Sequence, residues 1–336
     1  LKQHNFDSDL RFIMIKKIAI IGAGIAGLTI AQRLHRQGYQ VDIFDKGRGV
    51  GGRMSSRRTD FGYLDHGCQY LTVKDSLWAN FLESYAEVIV PWRGKFAQWQ
   101  DKIFTPVELE NCRYVPTRAM NNLSKTIAQG LNVKLKTRII KLAKNKTWTL
   151  SDEEGNQYTD YDLVIVTAPP AQTYDLLKGH SSIADEINNI QMLPCYSLML
   201  TLAEDIDLPF DGIELQHPIL GWIANNNSKP FRGEKTSLII QSNFTWAKEH
   251  LESDRVEITN ILKETTQAIL NISCDKSLYE SLHLWRYALP EAHNDKGYYL
   301  DGENHIAICG DWCLNGKVES AFLSANLLAD AISSGF

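Results

Sequence analysis

The chain lacks a run of apolar residues approaching the roughly 20 that cross a bilayer as a helix, so no membrane-spanning segment is expected. Its six cysteines, Cys68, Cys112, Cys195, Cys274, Cys309 and Cys313, show neither a CxxC pair nor a Cys/His spacing. That argues against a zinc site and a disulfide framework alike, and the thiols read as reduced. Positive charge is not in excess: 35 Lys and Arg against 40 Asp and Glu leave a net charge of −5, with no general attraction for nucleic acid or anionic lipid. Residues 1–13, LKQHNFDSDLRFI, have no apolar core of a signal peptide and read as an extension before Met14, which points to a cytoplasmic protein. No repeat or low-complexity linker divides the 336 residues, a length that fits two interlocked domains.

What is present is concentrated between Lys16 and Arg53, KKIAIIGAGIAGLTIAQRLHRQGYQVDIFDKGRGVGGR. Ile18 to Ile21 form an unbroken apolar run, the pattern of a parallel strand covered on both faces. Gly22, Gly24 and Gly27 follow at the GxGxxG spacing: the first for a tight turn, the second for close approach of a pyrophosphate, the third for packing of helix on strand. Ile25 and Ala26 open a helix whose amino end faces the phosphates, with Leu28, Ala31 and Leu34 on one face and Gly38 as its stop. Val41 to Phe44 is a second strand, and Asp45 at its carboxyl end stands where an acid bonds ribose hydroxyls. Beyond it Lys46, Arg48, Arg53, Arg57 and Arg58 lie among Gly47, Gly49, Gly51 and Gly52. The loop reads either as a solvated basic run or as a second phosphate contact centred on Gly52, Arg53 and Met54. A second phosphate loop is common in flavoproteins, and the stretch resembles the amine-oxidase-like FAD proteins.

Along the rest of the chain, FGYLDHGCQY brings Asp65, His66, Gly67, Gln69 and Tyr70 close after the nucleotide grip, and Gly67 permits close backbone approach. His66 reads as a structural hydrogen-bonder or as a base. Ser76 to Ala86 is expected to be a helix capped at Asp75 or Ser76, Trp92 to Phe104 strands of a second sheet, and Thr117 the cap of a helix to about Gln129. Val133 to Leu142, Thr147 to Leu150 and the Tyr158 region suggest a three-stranded insert, and Asp162 to Ala168 another buried parallel strand. Pro194 to Phe244 reads as mostly antiparallel sheet, Glu257 to Asn271 as a helix, and His283 to Tyr287 as a strand returning to the cofactor. Ile306 to Ile308, then Asp311, then a helix opening at Val318, Glu319, Ser320 and Ala321, place a carboxylate and a helix amino end beside a bound ring.

The segments DKGRGVGGRMSSRR, LDHGCQY, LGWIANNNSKP, HLWRYALP and CGDWCLNGKVESAFLSA together resemble the renalase family from Met14 to Ile332. The resemblance implies an α/β fold: a Rossmann-type FAD-binding domain of the p-hydroxybenzoate hydroxylase and amine oxidase type, with an inserted α+β substrate domain on a mostly antiparallel sheet. The expected division is 14–70, 115–177 and 290–336 for FAD, and 71–114 and 178–289 for substrate. It implies noncovalent FAD, held by the glycine loops, Asp45, Lys46, Arg53, Met54, His66, Gly67, Gln69, Ile139, Asp311, Val318, Glu319 and Ala321. It further implies oxidation of 2- and 6-dihydro isomers of NAD(P)H by hydride transfer to flavin N5, with molecular oxygen reoxidising the flavin to give hydrogen peroxide. Trp222, Trp285 and Tyr287 are candidates to wall the nicotinamide, and Asn225, Gln69 and Arg286 to fix its carboxamide or phosphates; core packing is the other reading of each. A flavin amine oxidase and a noncatalytic FAD-binding redox sensor are the alternatives.

Overall fold

The computed structural model describes residues 15–335, so the expectations for residues 1–13 and Met14 lie outside the described residues. The apolar run becomes the strand Lys17–Ile21, joined in parallel by Gln40–Phe44 on one side and Leu163–Val166 on the other. Ile306–Ile308 and Asn132–Lys134 extend the sheet in parallel, and Tyr299–Asp301 closes one edge antiparallel. Side chains alternate across it. Ile18, Ile20, Ile43 and Ile165 pack beneath the glycine helix Ile25–Arg36 and the last helix Val318–Ser333. Ile21, Phe44, Val164 and Val166 pack instead on Trp148, Leu150 and Tyr161 of an antiparallel three-stranded sheet, Ile139–Lys144, Trp148–Asp152 and Gln157–Tyr161. Each such fully buried aliphatic side chain stabilises the fold by about 1.5–3 kcal/mol, so both covers of the strand run are needed.

The second sheet has seven strands in the order Ser277–Pro290, Met192–Leu202, Ser237–Ser242, Leu220–Asn225, Gly212–Leu215, Phe96–Gln100 and Ile103–Pro106. All neighbours are antiparallel except Gly212–Leu215 with Phe96–Gln100. One face, with Leu198, Leu200, Ile223, Leu238 and Ile240, is covered by the helix Arg255–Leu270, which Asp254 caps by accepting from the Val256 and Glu257 N–H groups. The opposite face, with Met199, Trp222, Ala224 and Ile239, joins the core that contains the nucleotide sheet. The parallel Rossmann sheet with a mostly antiparallel partner is the fold class expected from the sequence.

Local boundaries differ in three places. The helix expected from Thr117 runs only from Asn122 to Ile127, because Arg118 at φ +66° cannot continue a right-handed helix. Thr117 accepts from the Asn122 amide at 3.2 Å rather than capping. The single strand expected over Val133 to Leu142 is two, in different sheets, separated at Lys136 with φ +54°. In the stretch read as all strand, a single 3-10 turn, Asn226–Ser228, redirects the chain, and a helix begins at Phe244.

Candidate active site

The three glycines of the first loop serve three different needs. Gly22 has φ +114°, and a Cβ there would stand 2.4 Å from Thr167 Oγ1; at Gly27 it would stand 1.9 Å from the Gly22 carbonyl oxygen. At Gly24 it would meet nothing within 4 Å. Gly24 is also the N-cap of the helix and makes no side-chain cap bond. The open space thus lies in front of free helical N–H groups at Ile25 and Ala26, a fit for a phosphate of FAD. Gly52, at φ +54°, approaches Gly24 from the second loop. Asp45 ties the two loops together: Oδ2 accepts from Ala23 N–H at 2.6 Å and Oδ1 from Gly47 N–H at 2.6 Å. The Lys136 and Thr137 N–H groups donate to the Gly47 and Asp45 carbonyls, which brings the chain leading to buried Ile139 alongside. Lys46 donates to Gln172 at 3.2 Å, its pKa lowered by burial and by Arg138. Met54 is buried, its N–H bonded to the Gly51 carbonyl.

Arg53 leaves this loop to grip Asp311 with both prongs of its guanidinium and to donate to the Ala288 carbonyl at 3.2 Å. Two expected cofactor residues therefore hold each other. The Glu319 carboxylate accepts from the Lys74 and Asp75 N–H groups at 2.9 and 2.6 Å, so the side chain anchors the start of the helix Ser76–Glu83, and its backbone stays at the amino end of the last helix. Val318 opens the last helix and Ala321 is buried in its core face.

The LDHGCQY segment lies between the two sheets. Gly67 is pressed against the Arg53 carbonyl, where a Cβ would come within 2.0 Å, and its own carbonyl accepts from Gln241 at 2.8 Å. His66 stacks on Trp285 with ring centres 5.4 Å apart and planes at 18°, and Trp285 Nε1 donates to the His66 carbonyl at 2.8 Å. His283 meets both rings edge-on. Burial, with His283 and Arg57 adding to it, pushes the His66 pKa down to about 4. Beneath the turn, fully buried Asp65 accepts from Ser56 at 2.5 Å, Arg232 at 2.9 Å and Lys229 at 3.2 Å. Burial alone would raise the Asp65 carboxyl, but Lys229 and Arg232 hold it below the usual carboxylate range. Burial drives Lys229 the other way, down to about 8. Gln69 braces the turn: its amide donates to the Asp65 and Gly67 carbonyls and accepts from Lys229 at 3.1 Å, so its N–H groups are spent and only the second lone pair of Oε1 is left for a ligand.

Strand register sorts the remaining candidates. His283, Ser197, Gln241, Trp222 and Glu214 are successive cross-strand partners, a row on the face toward LDHGCQY. Trp222 is buried there against Tyr70, ring centres 5.6 Å apart. Tyr287 lies farther along, lining a cleft of about 210 Å³ with Tyr174, Gln191 and Met192. Arg286 and Asn225 are on the wrong side. Arg286 is over half exposed and pairs with Glu252 at 3.5 Å, on the face that carries Tyr196; Asn225 donates to Asp211 at 3.3 Å. The neighbouring Asn226 reaches the turn instead, accepting from Asp65 N–H and donating to the Tyr63 carbonyl. Asn226, Lys229 and Arg232 were not singled out from the sequence; the one signal was two cations in the short loop NNNSKPFRG between apolar strands.

Among the described residues there is no His, Cys, Asp and Glu group arranged to hold a metal, and no helix long and apolar enough to cross a membrane. Residues 20–85 match the NAD(P)-binding Rossmann-like domain and residues 80–333 the flavin containing amine oxidoreductases. A 4,4'-diapophytoene desaturase (4,4'-diaponeurosporene-forming) of Staphylococcus haemolyticus (strain JCSC1435) is 46% identical over 67 residues, 20% of this chain and 13% of that protein. That of Staphylococcus aureus (strain Newman) is 44% identical over 59 residues, 18% and 12% of the two chains. The chain thus aligns with about an eighth of the length of these curated relatives. Among solved structures, a protein from Exiguobacterium sp. 255-15 assigned to the protoporphyrinogen oxidases aligns over 95% of this chain and 99% of its own, with a TM-score of 0.78 at 11% identity. Wild-type putrescine oxidase bound to putrescine aligns over the same shares with a TM-score of 0.74 at 11% identity, a likeness of fold. With three quarters of its length matched by the second family, and with a glycine cradle shaped for the cofactor, the chain belongs to the flavin containing amine oxidoreductases and is an FAD-dependent oxidoreductase.

Proposed function

We propose that the protein oxidises 2- and 6-dihydro isomers of NAD(P), converting isomer, oxygen and one proton into NAD(P)+ and hydrogen peroxide. The observation that carries this reading is a site walled by rings whose titratable groups are already spent or neutral. His66, with a pKa of about 4, is uncharged at neutral pH, and Asp65 and Lys229 are bonded to each other beneath the turn. A dihydropyridine gives up a hydride without first losing a proton to the protein, so alignment matters more than a base. When bound, FAD supplies the hydride acceptor and passes the electrons to oxygen. Gly24, Asp45 and the Arg53–Asp311 pair bind the nucleotide in this reading. Trp285, stacked on His66, and Trp222 orient the substrate ring and exclude water. The FAD domain comprises 14–70, 115–177 and 290–336, the substrate domain 71–114 and 178–289, and the protein works in the cytoplasm.

The test is an anaerobic flavin-reduction panel. The 2- and 6-dihydro isomers bleach the flavin rapidly, 4-dihydro-NAD(P)H much more slowly and simple amines hardly at all; air then yields peroxide in proportion to substrate oxidised. The family match and the likeness to putrescine oxidase favour amine oxidation as the second reading. Rapid bleaching by an amine, with none by the dihydro isomers, would establish it in place of the first.

A further inference from the structure

Arg113 stands just before the strand Tyr114–Pro116, with its guanidinium carbon 4.0 Å from the centre of the Phe96 ring, 4.2 Å from Tyr70 and 5.2 Å from Trp222. Three aromatic faces hold the cation through their ring quadrupoles. They cannot accept its N–H groups as a carboxylate would. Among the described residues Nη1 of Arg113 is buried without a hydrogen-bond partner, and so is Nε1 of Trp222, a side chain more than nine-tenths buried. Both groups are donors only. Among the described residues the carboxylate that acts on Arg113 is Glu214, opposite Trp222 on the neighbouring strand, and it forms no ion pair with Arg113. A buried donor left unpaired is destabilising, and two in one cage mark a place where the acceptor comes from outside the chain. The cage adjoins the ring-facing turn: Tyr70 ends LDHGCQY, and Trp222 is the cross-strand partner of Gln241, whose amide holds the Gly67 carbonyl.

We propose that this cage is an anion subsite, in which Arg113 and the Trp222 indole N–H receive a phosphate oxygen of a dinucleotide substrate. The inference rests on the dihydronicotinamide reading above and deepens it. A fixed guanidinium beside the turn favours a polyanionic dinucleotide and repels an ammonium substrate, which separates the two readings of the site on charge alone. The Tyr70, Phe96 and Trp222 rings set its position, so shortening or flattening any of them displaces the charge as well as the wall.

The test uses full-length, FAD-loaded protein and reads the flavin absorbance change on titration with NAD+ and, separately, with nicotinamide riboside, which has no phosphate. Arg113→Gln raises the Kd for NAD+ by ten- to a hundredfold and leaves that for the riboside within twofold; Arg113→Lys is intermediate; Trp222→Phe, which keeps the cage filled, raises the NAD+ Kd three- to tenfold. Equal weakening of both ligands, or no weakening of NAD+ in any variant, overturns the subsite. Anaerobic reduction by the dihydro isomers is measured on the same samples. Arg113-dependent NAD+ binding without reduction would leave the subsite standing and remove the proposed reaction, whereas reduction that is indifferent to Arg113→Gln would do the reverse. Wild-type protein that neither binds NAD+ nor is reduced removes both.

Discussion

Arg53 and Asp311 are 258 positions apart and form a two-pronged ion pair, with Arg53 Nη1 2.7 Å from Asp311 Oδ2. The pair joins the second glycine loop to the turn that follows the strand Ile306–Ile308, adding to the Arg33–Asp330 contact between the first and last helices. Arg53 is about a third exposed and Asp311 nearly buried. Removing either leaves a charge facing the site without its partner.

Arg53→Ala and Asp311→Asn should therefore each weaken FAD. One charge-assisted bond contributes about 1.5–3 kcal/mol, which corresponds to roughly ten- to a hundredfold in Kd. Because the residues act as a unit, the double variant should be weaker by much less than the product of the two. Fluorescence titration of the apoprotein with FAD measures all three; purely multiplicative losses would show that the pair is not shared in binding.

The contact was not legible in the sequence, although each residue was. Asp45, the glycines and the buried strands are local patterns, and local patterns fix backbone geometry within a few residues. Asp65 with Lys229 and Arg232 is different in kind, since which cation meets a buried carboxylate depends on how two sheets close. The side that Arg286 faces is hard to read for another reason. In Ser277–Pro290 most positions are half-buried on both faces, so alternation gives little contrast, and the register shifts where Leu193 and Cys195 pair with it. Asn226 reaches the turn where Asn225 does not, because the strand ends at Asn225 and a single 3-10 turn presents the next side chain.

Gly24 and Gly27 should separate binding from folding. A side chain at Gly24 enters open space, so Gly24→Val keeps its Tm within a few degrees as apoprotein and loses FAD. At Gly27 a Cβ overlaps the Gly22 carbonyl, so Gly27→Val forces helix from strand and lowers stability, by more than the roughly 1–3 kcal/mol typical of overpacking. Thermal melts with and without FAD read the difference. A Gly24→Val protein that binds FAD normally would mean that the cradle is not where the phosphates sit.

Asp45→Ala should weaken FAD and also loosen the loops, because the carboxylate accepts from both Ala23 and Gly47. Two such charge-assisted bonds contribute about 3–6 kcal/mol at most. The flavin that remains bound keeps its spectrum and its reduction rate, since a residue at the ribose acts through binding and not on the reacting ring. A changed reduction rate at full occupancy would place Asp45 closer to the chemistry than the nucleotide loop allows.

Arg286→Ala and Trp285→Ala give opposite expectations for adjacent residues. Arg286 pairs with exposed Glu252 on the helix-covered face, an interaction of less than about 1 kcal/mol, and its loss should leave flavin reduction within twofold. Trp285 stacks on His66 and donates to its carbonyl, so Trp285→Ala frees the turn and should lower the rate by about a hundredfold, the cost of misplacing a reactant by about 1 Å. Stopped-flow bleaching compares them directly, and a large loss in Arg286→Ala would restore it to the site.

His66 gives the fold a pH dependence whose sign is set by burial. Its pKa is lowered to about 4 in the folded protein from the ordinary 6.5, so as pH falls the unfolded chain takes up the proton first. Stability should then decline from about pH 6.5 to about pH 4 by up to roughly 3 kcal/mol, and this group should contribute no further loss below that. His283, also lowered to about 4 by burial, adds a smaller share in the same direction because it is only partly buried. Arg57 and Arg255 face the pair as like charges and oppose its protonation, while Asp65, the one carboxylate acting on His66, favours it and is itself held ionised by Lys229 and Arg232. Urea midpoints at pH 7, 5.5 and 4.5 should fall steeply in the wild type and distinctly less in His66→Asn, whose lower starting stability does not affect the slope. Parallel slopes in the two proteins would mean that His66 takes up its proton at an ordinary pH, and that burial does not hold the ring neutral below about pH 6.5.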